Sequence, residues 1–209
     1  MLENVKGKIA WPIAFAVVFA LSRIPGLLPR NFSAAYALAF CGGLYFTGWL
    51  GWWLPLGTLL ATDVLLNLFY YHAPVFTGYM LVTVLSFAAL IGLGRLFSPK
   101  MSWLKLVGGG LLGAILFYLI TNTASWLSLP GYPKTLAGWI QALTTGLPGF
   151  PSTWEFFRNT LLSGGLFTGL FAGAMKLTAP AESPQEKEAG AREPEKEAEP
   201  DEAPEEAKA

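Results

Sequence analysis

Long apolar segments constrain the fold of this chain more than any other feature of its sequence. A helix that crosses the hydrocarbon core of a bilayer needs about 20 mostly apolar residues, and six segments approach or reach this length. Charged residues make up only 13% of the chain, against about 25% in soluble domains. The sequence therefore predicts an all-α integral membrane protein with six transmembrane helices. The predicted spans are 8–23, 33–50, 53–71, 76–96, 103–122 and 155–177.

The end of the chain has a different composition. Residues 182–209 carry 11 of the 14 acidic residues and 4 of the 14 basic ones, so this part has a net charge of −7 and the rest has +7. It has no aromatic residue and almost no large aliphatic one, so it cannot bury enough apolar surface to offset the entropy of ordering the chain. The prediction is a transmembrane domain over 1–179 and a disordered acidic tail over 180–209.

Basic residues near the span ends predict the orientation in the membrane. Six of them fall on one side of a six-span chain, and the positive-inside bias assigns that side to the cytoplasm. Both termini are then cytoplasmic. The first span is not followed by a cleavage site, so it is predicted to stay in the mature protein. These basic residues are Lys6, Lys8, Arg95, Lys100, Lys105 and Lys176.

Asp63 is the acidic residue that lies squarely within a predicted span. A charge at the centre of a membrane helix costs roughly 2.5–3.5 kcal/mol on insertion scales, so such a residue is a functional candidate. Asn67 lies four residues further, on the same helix face, and Tyr71 continues that face. A structural interpretation is equally open, in which Asp63 pairs with an arginine such as Arg158.

Polar and aromatic residues from four separate stretches fall on the predicted external side. One stretch is the connection 123–154, which at about 30 residues is long enough to form a lid. Aromatic side chains beside a few fixed polar groups are typical of small-molecule pockets, and the basic balance favours a ligand with an anionic or electron-rich group. Arg23 is interpreted instead as an interfacial contact to lipid phosphate. The predicted pocket residues are Arg30, Asn31, Asp63, Asn67, Tyr71, Asn122, Trp126, Tyr132, Lys134, Arg158 and Asn159.

Motifs of catalysis and nucleotide binding are missing from the sequence. There is no P-loop, no G-x-S-x-G and no H-E-x-x-H, and the chain has one histidine. The single Cys41 cannot form an intrachain disulfide or a cysteine-based zinc site. We therefore expect a protein that is not an enzyme and that has no cofactor, no bound metal and no nucleic-acid partner.

Four stretches of the sequence resemble a family of small bacterial membrane proteins of unknown function. They read "PRNFSAAYALAFCGGLYF", "LLATDVLLNLFYYH" around Asp63, "FYLITNTASWLSLPGYPKTLAGW" and "LPGFPSTWEFFRNTLLSGGLF". The resemblance covers roughly residues 25–175. That family is in turn similar, in size and six-span architecture, to the substrate-binding S components of energy-coupling factor (ECF) transporters.

The resemblance implies a fold, a function and partners. S components form a six-helix bundle with both termini in the cytoplasm, bind a vitamin or other micronutrient at the external face, and leave ATP hydrolysis to separate subunits. They dock on a transmembrane coupling subunit through small residues of the first span. The expected function is therefore substrate binding for micronutrient uptake across the bacterial cytoplasmic (inner) membrane. The residues that match the docking pattern are Ala10, Ala14, Ala16 and Ala20.

Other functions predict other sequence features. A stand-alone secondary transporter or channel should have a second polar cluster near the cytoplasmic end and inverted repeats, and neither is visible. A membrane enzyme should have a nucleophile with a base or a metal cluster. A membrane scaffold without catalysis should tolerate loss of the external polar residues.

Overall fold

The structure is a computed structural model, and it describes residues 2–178, with side chains from residue 10 onward. The predicted tail, 180–209, lies outside the described residues. Within them the regular structure is helical, with no strand. The helices are α1 (Leu2–Ser22), α2 (Ala35–Tyr45), α3 (Leu50–Leu66), α4 (Gly78–Arg95), α5 (Trp103–Ser128), α6 (Leu136–Leu143) and α7 (Thr153–Thr178), with a π-helical turn (Asn67–Tyr71) after α3.

Four of the described helical segments are long and apolar enough to cross a membrane, which indicates a multi-pass membrane protein. They agree in place with four of the predicted spans. Two other apolar stretches in the described part are shorter, Ala10–Ser22 and Ala35–Tyr45. The count of six spans and the S-component-like bundle stay predictions. The four long segments are Leu50–Tyr71, Gly78–Arg95, Trp103–Ser128 and Thr153–Thr178.

Helix α2 is shorter than the span predicted over 33–50. At about 1.5 Å per residue, its 11 residues reach about half of the ~30 Å hydrocarbon core. The apolar run continues beyond Tyr45, but the helix does not. Phe46 is extended, and Gly48 adopts a left-handed φ of 60°. The remaining apolar residues of the run therefore form a turn into α3.

Helix α2 lies at the centre of the bundle. Nearly all of its side chains are buried, and it packs against α1, α3, α4 and α5. Its contact with α4 is backbone to backbone, because a Cβ on Gly43 would lie 2.1 Å from the Ile91 carbonyl oxygen and a Cβ on Gly94 would lie 2.1 Å from that of Phe40. Small residues thus set the distance between the two helices.

Helix α7 lies against α5. The indole Nε1 of Trp103 donates a hydrogen bond of 2.9 Å to the carbonyl of Gly169. Gly110 faces Thr168 so closely that a Cβ there would lie 2.1 Å from the threonine Oγ1. The start of α7 therefore reaches the same end of the bundle as the end of α5.

Helix α5 extends beyond its predicted end and changes the description of the 123–154 connection. The hydroxyls of Thr121, Ser125 and Ser128 bond to carbonyls four residues earlier in the same helix, so these polar residues are compatible with a helix. The helix ends before Pro130. A second helix, α6, follows, and the Thr135 side chain caps it by accepting a hydrogen bond from the Gly138 amide. Half of the connection, 16 of its 32 residues, is therefore helical, so it is not one long loop.

Candidate functional site

A cavity of about 740 Å³ opens where α1 and α3 end. Its lining comes from the end of α1 with the loop 23–33, the end of α3 with its π-helical turn, two residues each of α2 and α4, and one each of α5 and α7. Ligand sites of proteins usually measure about 300–1,000 Å³, so the volume suits a small organic molecule. Five of the predicted pocket residues line it: Arg30, Asn31, Asp63, Asn67 and Tyr71.

The loop 23–33 forms the polar rim of this cavity, and its two ends are fastened together. The Ser22 hydroxyl lies 3.0 Å from that of Ser33 and accepts a hydrogen bond of 3.0 Å from the Ala34 amide. Asn31 has a left-handed φ of 57°, a conformation that asparagine adopts more readily than most residues. The rim is therefore a shaped loop with a defined base.

The rim is also tied to α7. The Asn159 side-chain amide donates a hydrogen bond of 2.9 Å to the carbonyl oxygen of Arg30. The Arg30 guanidinium itself has no hydrogen bond or ion pair with another side chain that the structure describes. Asn159 thus holds the backbone of the rim, while the Arg30 side chain stays available at the cavity.

Asp63 forms an ion pair with Arg23. Its suggested pairing with Arg158 is wrong, because Arg158 lies exposed on α7 whereas Arg23 directly follows α1, which packs against α3. The interpretation of Arg23 as a lipid contact is also wrong, because its guanidinium pairs with Asp63 instead. The two side chains are only 19% and 16% exposed. Both line the cavity, and their opposite charges compensate each other there.

The π-helical turn after α3 carries three residues of the lining. Asn67 closes the turn, because its carbonyl accepts from the Ala73 amide at 3.0 Å and its side chain donates to the Val75 carbonyl at 3.4 Å. Tyr70 and Tyr71 meet edge to face with ring centroids 4.9 Å apart. Single π-helical turns are frequent at functional sites, and this one brings two consecutive tyrosines to one cavity.

Three aromatic residues from different helices form the inner wall of the cavity, which we call the aromatic wall: Tyr36, Phe87 and Phe117. Tyr36 and Phe117 lie 4.6 Å apart by ring centroids, and Phe87 and Phe117 lie 5.7 Å apart. Sequence reasoning missed all three. Their positions in α2, α4 and α5 look like those of any core aromatic, so no local signal marks them.

The other predicted pocket residues do not line this cavity. Asn122 donates to the Tyr118 carbonyl one turn earlier. The Trp126 indole donates to the Pro133 carbonyl at 2.8 Å, and the Lys134 ammonium donates to the carbonyls of Trp126 and Leu129. Trp126 and Lys134 thus hold the turn between α5 and α6, whereas Asn122 bonds only within α5.

Tyr132 and Arg158 complete the set that lies apart from the cavity. Tyr132 is buried beside the start of α7, and this burial raises its pKa, an effect that a hydrogen bond with Thr153 partly offsets. Arg158 is exposed. The assignment of these outlying residues to a ligand site stays a prediction. No group of three or more histidine, cysteine or carboxylate side chains comes together in the described part of the chain.

Thr123→Val is expected to loosen α6. The Thr123 hydroxyl accepts a hydrogen bond of 2.9 Å from the Trp139 indole, and the loss leaves a partly buried donor without a partner, which costs about 1 kcal/mol. Hydrogen exchange should show faster exchange of the α6 amides. Thr58→Val is the matched control, because the Thr58 hydroxyl bonds only to the Leu54 carbonyl of its own helix. Unchanged α6 exchange in Thr123→Val would contradict this role.

Comparison with known proteins places the chain in a family. Residues 3–186 match the model of a family of unknown function, DUF6580. The chain belongs to the DUF6580 family. The match includes every residue that lines the cavity. It agrees with the predicted membership in a family of unknown function, while the similarity of DUF6580 proteins to S components stays a prediction. Neither the curated proteins nor the solved structures contain a match.

Proposed function

We propose that this protein is the substrate-binding component of a membrane transporter for a small molecule, with the cavity as its binding site. The observation that carries the proposal is the combination of a polar rim and an aromatic wall around about 740 Å³ at one end of apolar helices. Sites for small molecules combine an apolar lining with a few placed polar groups in this way.

The local construction of the site supports the same function. The rim is fastened at its base by Ser22 and Ser33 and tied to α7 by Asn159. The Arg23–Asp63 pair joins the rim to α3. A site whose groups are held before the ligand arrives loses less entropy on binding, which favours affinity.

A binding component fits the chain better than a complete transporter. The sequence has no nucleotide motif, so energy from ATP would come from separate ATPase subunits through a transmembrane coupling subunit. Secondary transporters are built from inverted repeats, and no such repeat is visible in this sequence.

The proposed docking surface is on α1. Ala10 is exposed, and Ala14, Ala16 and Ala20 are half-buried. Ile13 and Val17, on the outer side, are 57% and 48% exposed. The helix thus presents small and apolar side chains that a coupling subunit could approach closely.

The proposed orientation has the cavity outside a bacterial inner membrane and both termini in the cytoplasm. The loop between α4 and α5, with Arg95, Lys100 and Lys105 nearby, lies at the opposite end of the helices from the cavity. The positive-inside bias assigns that basic end to the cytoplasm.

Native mass spectrometry of the protein, released from a mild detergent, tests the proposal. We expect a co-purified small molecule whose occupancy falls roughly tenfold in Tyr71→Ala, because this ring lines the cavity. Phe69→Ala is the matched control, since Phe69 belongs to the same π-helical turn, is 74% exposed and does not line the cavity.

Two outcomes would count against the proposal. One is the absence of any bound molecule in every preparation. The other is equal occupancy in Tyr71→Ala and Phe69→Ala. Asn122→Ala and Trp126→Ala in the same experiment decide whether the end of α5 belongs to the site, and unchanged occupancy in these variants removes both residues from it.

A further inference from the structure

We infer that the cavity selects small organic monoanions that carry an aromatic or flat apolar body. This inference rests on the proposed function, because it assigns a substrate class to the same cavity. Three features carry it: the charges of the lining, the aromatic wall and the separation of the two.

The charges of the lining leave one positive charge without a counterion. The ionised groups there are Arg23, Arg30 and Asp63. Arg23 and Asp63 pair with each other, so their charges cancel locally. Arg30 has no acidic partner among the described side chains. Its planar guanidinium can bind a carboxylate through two parallel hydrogen bonds, so one ligand anion matches the net charge of the cavity.

Ligands of other charge fit less well. A cation would face Arg30 and would find Asp63 already neutralised by Arg23. A neutral ligand would leave the guanidinium without a charged partner. A dianion would bring a second charge that the lining does not balance, and burying an unpaired charge is costly.

The aromatic wall determines the rest of the ligand. Tyr36, Phe87 and Phe117 contact one another and line the cavity. Aromatic rings pair favourably in edge-to-face or offset geometry, beyond the gain from buried area. Tyr70 and Tyr71 add two more rings at the π-helical turn.

The anion site and the ring site belong to different parts of the fold. Arg30 and Asn31 belong to the loop rim, whereas the aromatic wall comes from α2, α4 and α5 inside the bundle. A ligand that satisfies both must have an anionic group at one end and an apolar ring at the other. Free phosphate has only the first part, and a lipid headgroup brings acyl chains with it.

Equilibrium dialysis of the full chain in a nonionic detergent tests this class with probes of matched shape. The probes are naphthoate, naphthamide and naphthylmethylammonium, with inorganic phosphate and phosphatidylglycerol as the two alternative sources of an anion. We expect naphthoate to bind at least about tenfold tighter than the other two naphthyl probes, as a charge-assisted hydrogen bond allows.

Variants separate the two halves of the site. Arg30→Gln should abolish the preference for naphthoate, and Arg30→Lys should keep part of it, because the charge remains but the planar fork is lost. Lys105→Gln is the control, since it removes the same charge from the first turn of α5, at the end of the bundle away from the cavity. Phe117→Leu should weaken naphthoate and naphthamide by the same factor, because the wall contacts the ring in both.

The results decide between the inference and its alternatives. Equal affinity for naphthoate and naphthamide, lost together in Phe117→Leu, overturns the anion preference and leaves the cavity as a small-molecule site. Tightest binding of phosphate or of phosphatidylglycerol also overturns it and makes Arg30 a site for a free anion or a lipid headgroup. Binding of no naphthyl probe contradicts the inference, and if no molecule co-purifies either, the proposed function fails with it.

Discussion

Alanine at Gly94 is expected to destabilise the bundle by about 3 kcal/mol, the upper part of the usual range for overpacking. The added methyl would lie 2.1 Å from the Phe40 carbonyl oxygen, which is backbone and cannot rotate away. Gly43→Ala should behave alike, because its methyl would meet the Ile91 carbonyl at the same distance. Either change forces α2 and α4 apart at the centre of the molecule.

A glycine in the same helix provides the control for this prediction. A Cβ on Gly92 would meet nothing within 4 Å, so Gly92→Ala should be neutral or should stabilise the helix by up to about 1 kcal/mol through helix propensity. Thermal unfolding in detergent, followed by circular dichroism, measures all three variants. Equal unfolding temperatures for Gly92→Ala and Gly94→Ala would show that α2 and α4 are not in backbone contact.

Asp63→Leu is expected to lower the free energy of unfolding by about 3 kcal/mol, because it leaves the mostly buried Arg23 charge without its partner. Arg23→Leu should cost a similar amount through the unpaired carboxylate. The double variant should recover part of the loss, since no unpaired charge remains. A double-mutant cycle on the free energies of unfolding measures the coupling energy between the two side chains.

Glu155→Gln is the control for the removal of an acidic charge. Glu155 is exposed at the start of α7 and has no ion pair with a described side chain, so its loss should change stability by less than about 0.5 kcal/mol. Strictly additive effects of Asp63→Leu and Arg23→Leu would contradict the ion pair. Recovery with Arg158→Leu in place of Arg23→Leu would restore the pairing first suggested by the sequence.

The long helices could be predicted from the sequence, whereas the length of α2 and the existence of α6 could not. The apolar runs that became α3, α4, α5 and α7 are long enough to leave little choice of structure. Helix α2 was overestimated because its apolar run continues through the turn at Gly48, where only the backbone conformation changes. Helix α6 has eight residues and is too short for a span, although Thr135 marks its start as an N-cap.

Five of the 22 residues that line the cavity were also predicted from the sequence. Arg30, Asn31, Asp63 and Asn67 stand out because polar groups are expensive in an apolar chain and need a reason to be there. The aromatic wall has no such mark, because Tyr36 and the two phenylalanines that join it resemble ordinary core residues.

The sequence by itself determined that this chain forms apolar helices and where its costly polar residues fall, because both follow from the free energy of transfer between water and lipid, residue by residue. Only the tertiary structure decided which of these residues meet. Arg23 reaches Asp63 because α1 packs on α3, and three distant aromatic rings share a wall because glycines let α2 and α4 touch. Such contacts depend on the distance and angle between packed helices, and neither quantity can be read from the sequence of one segment.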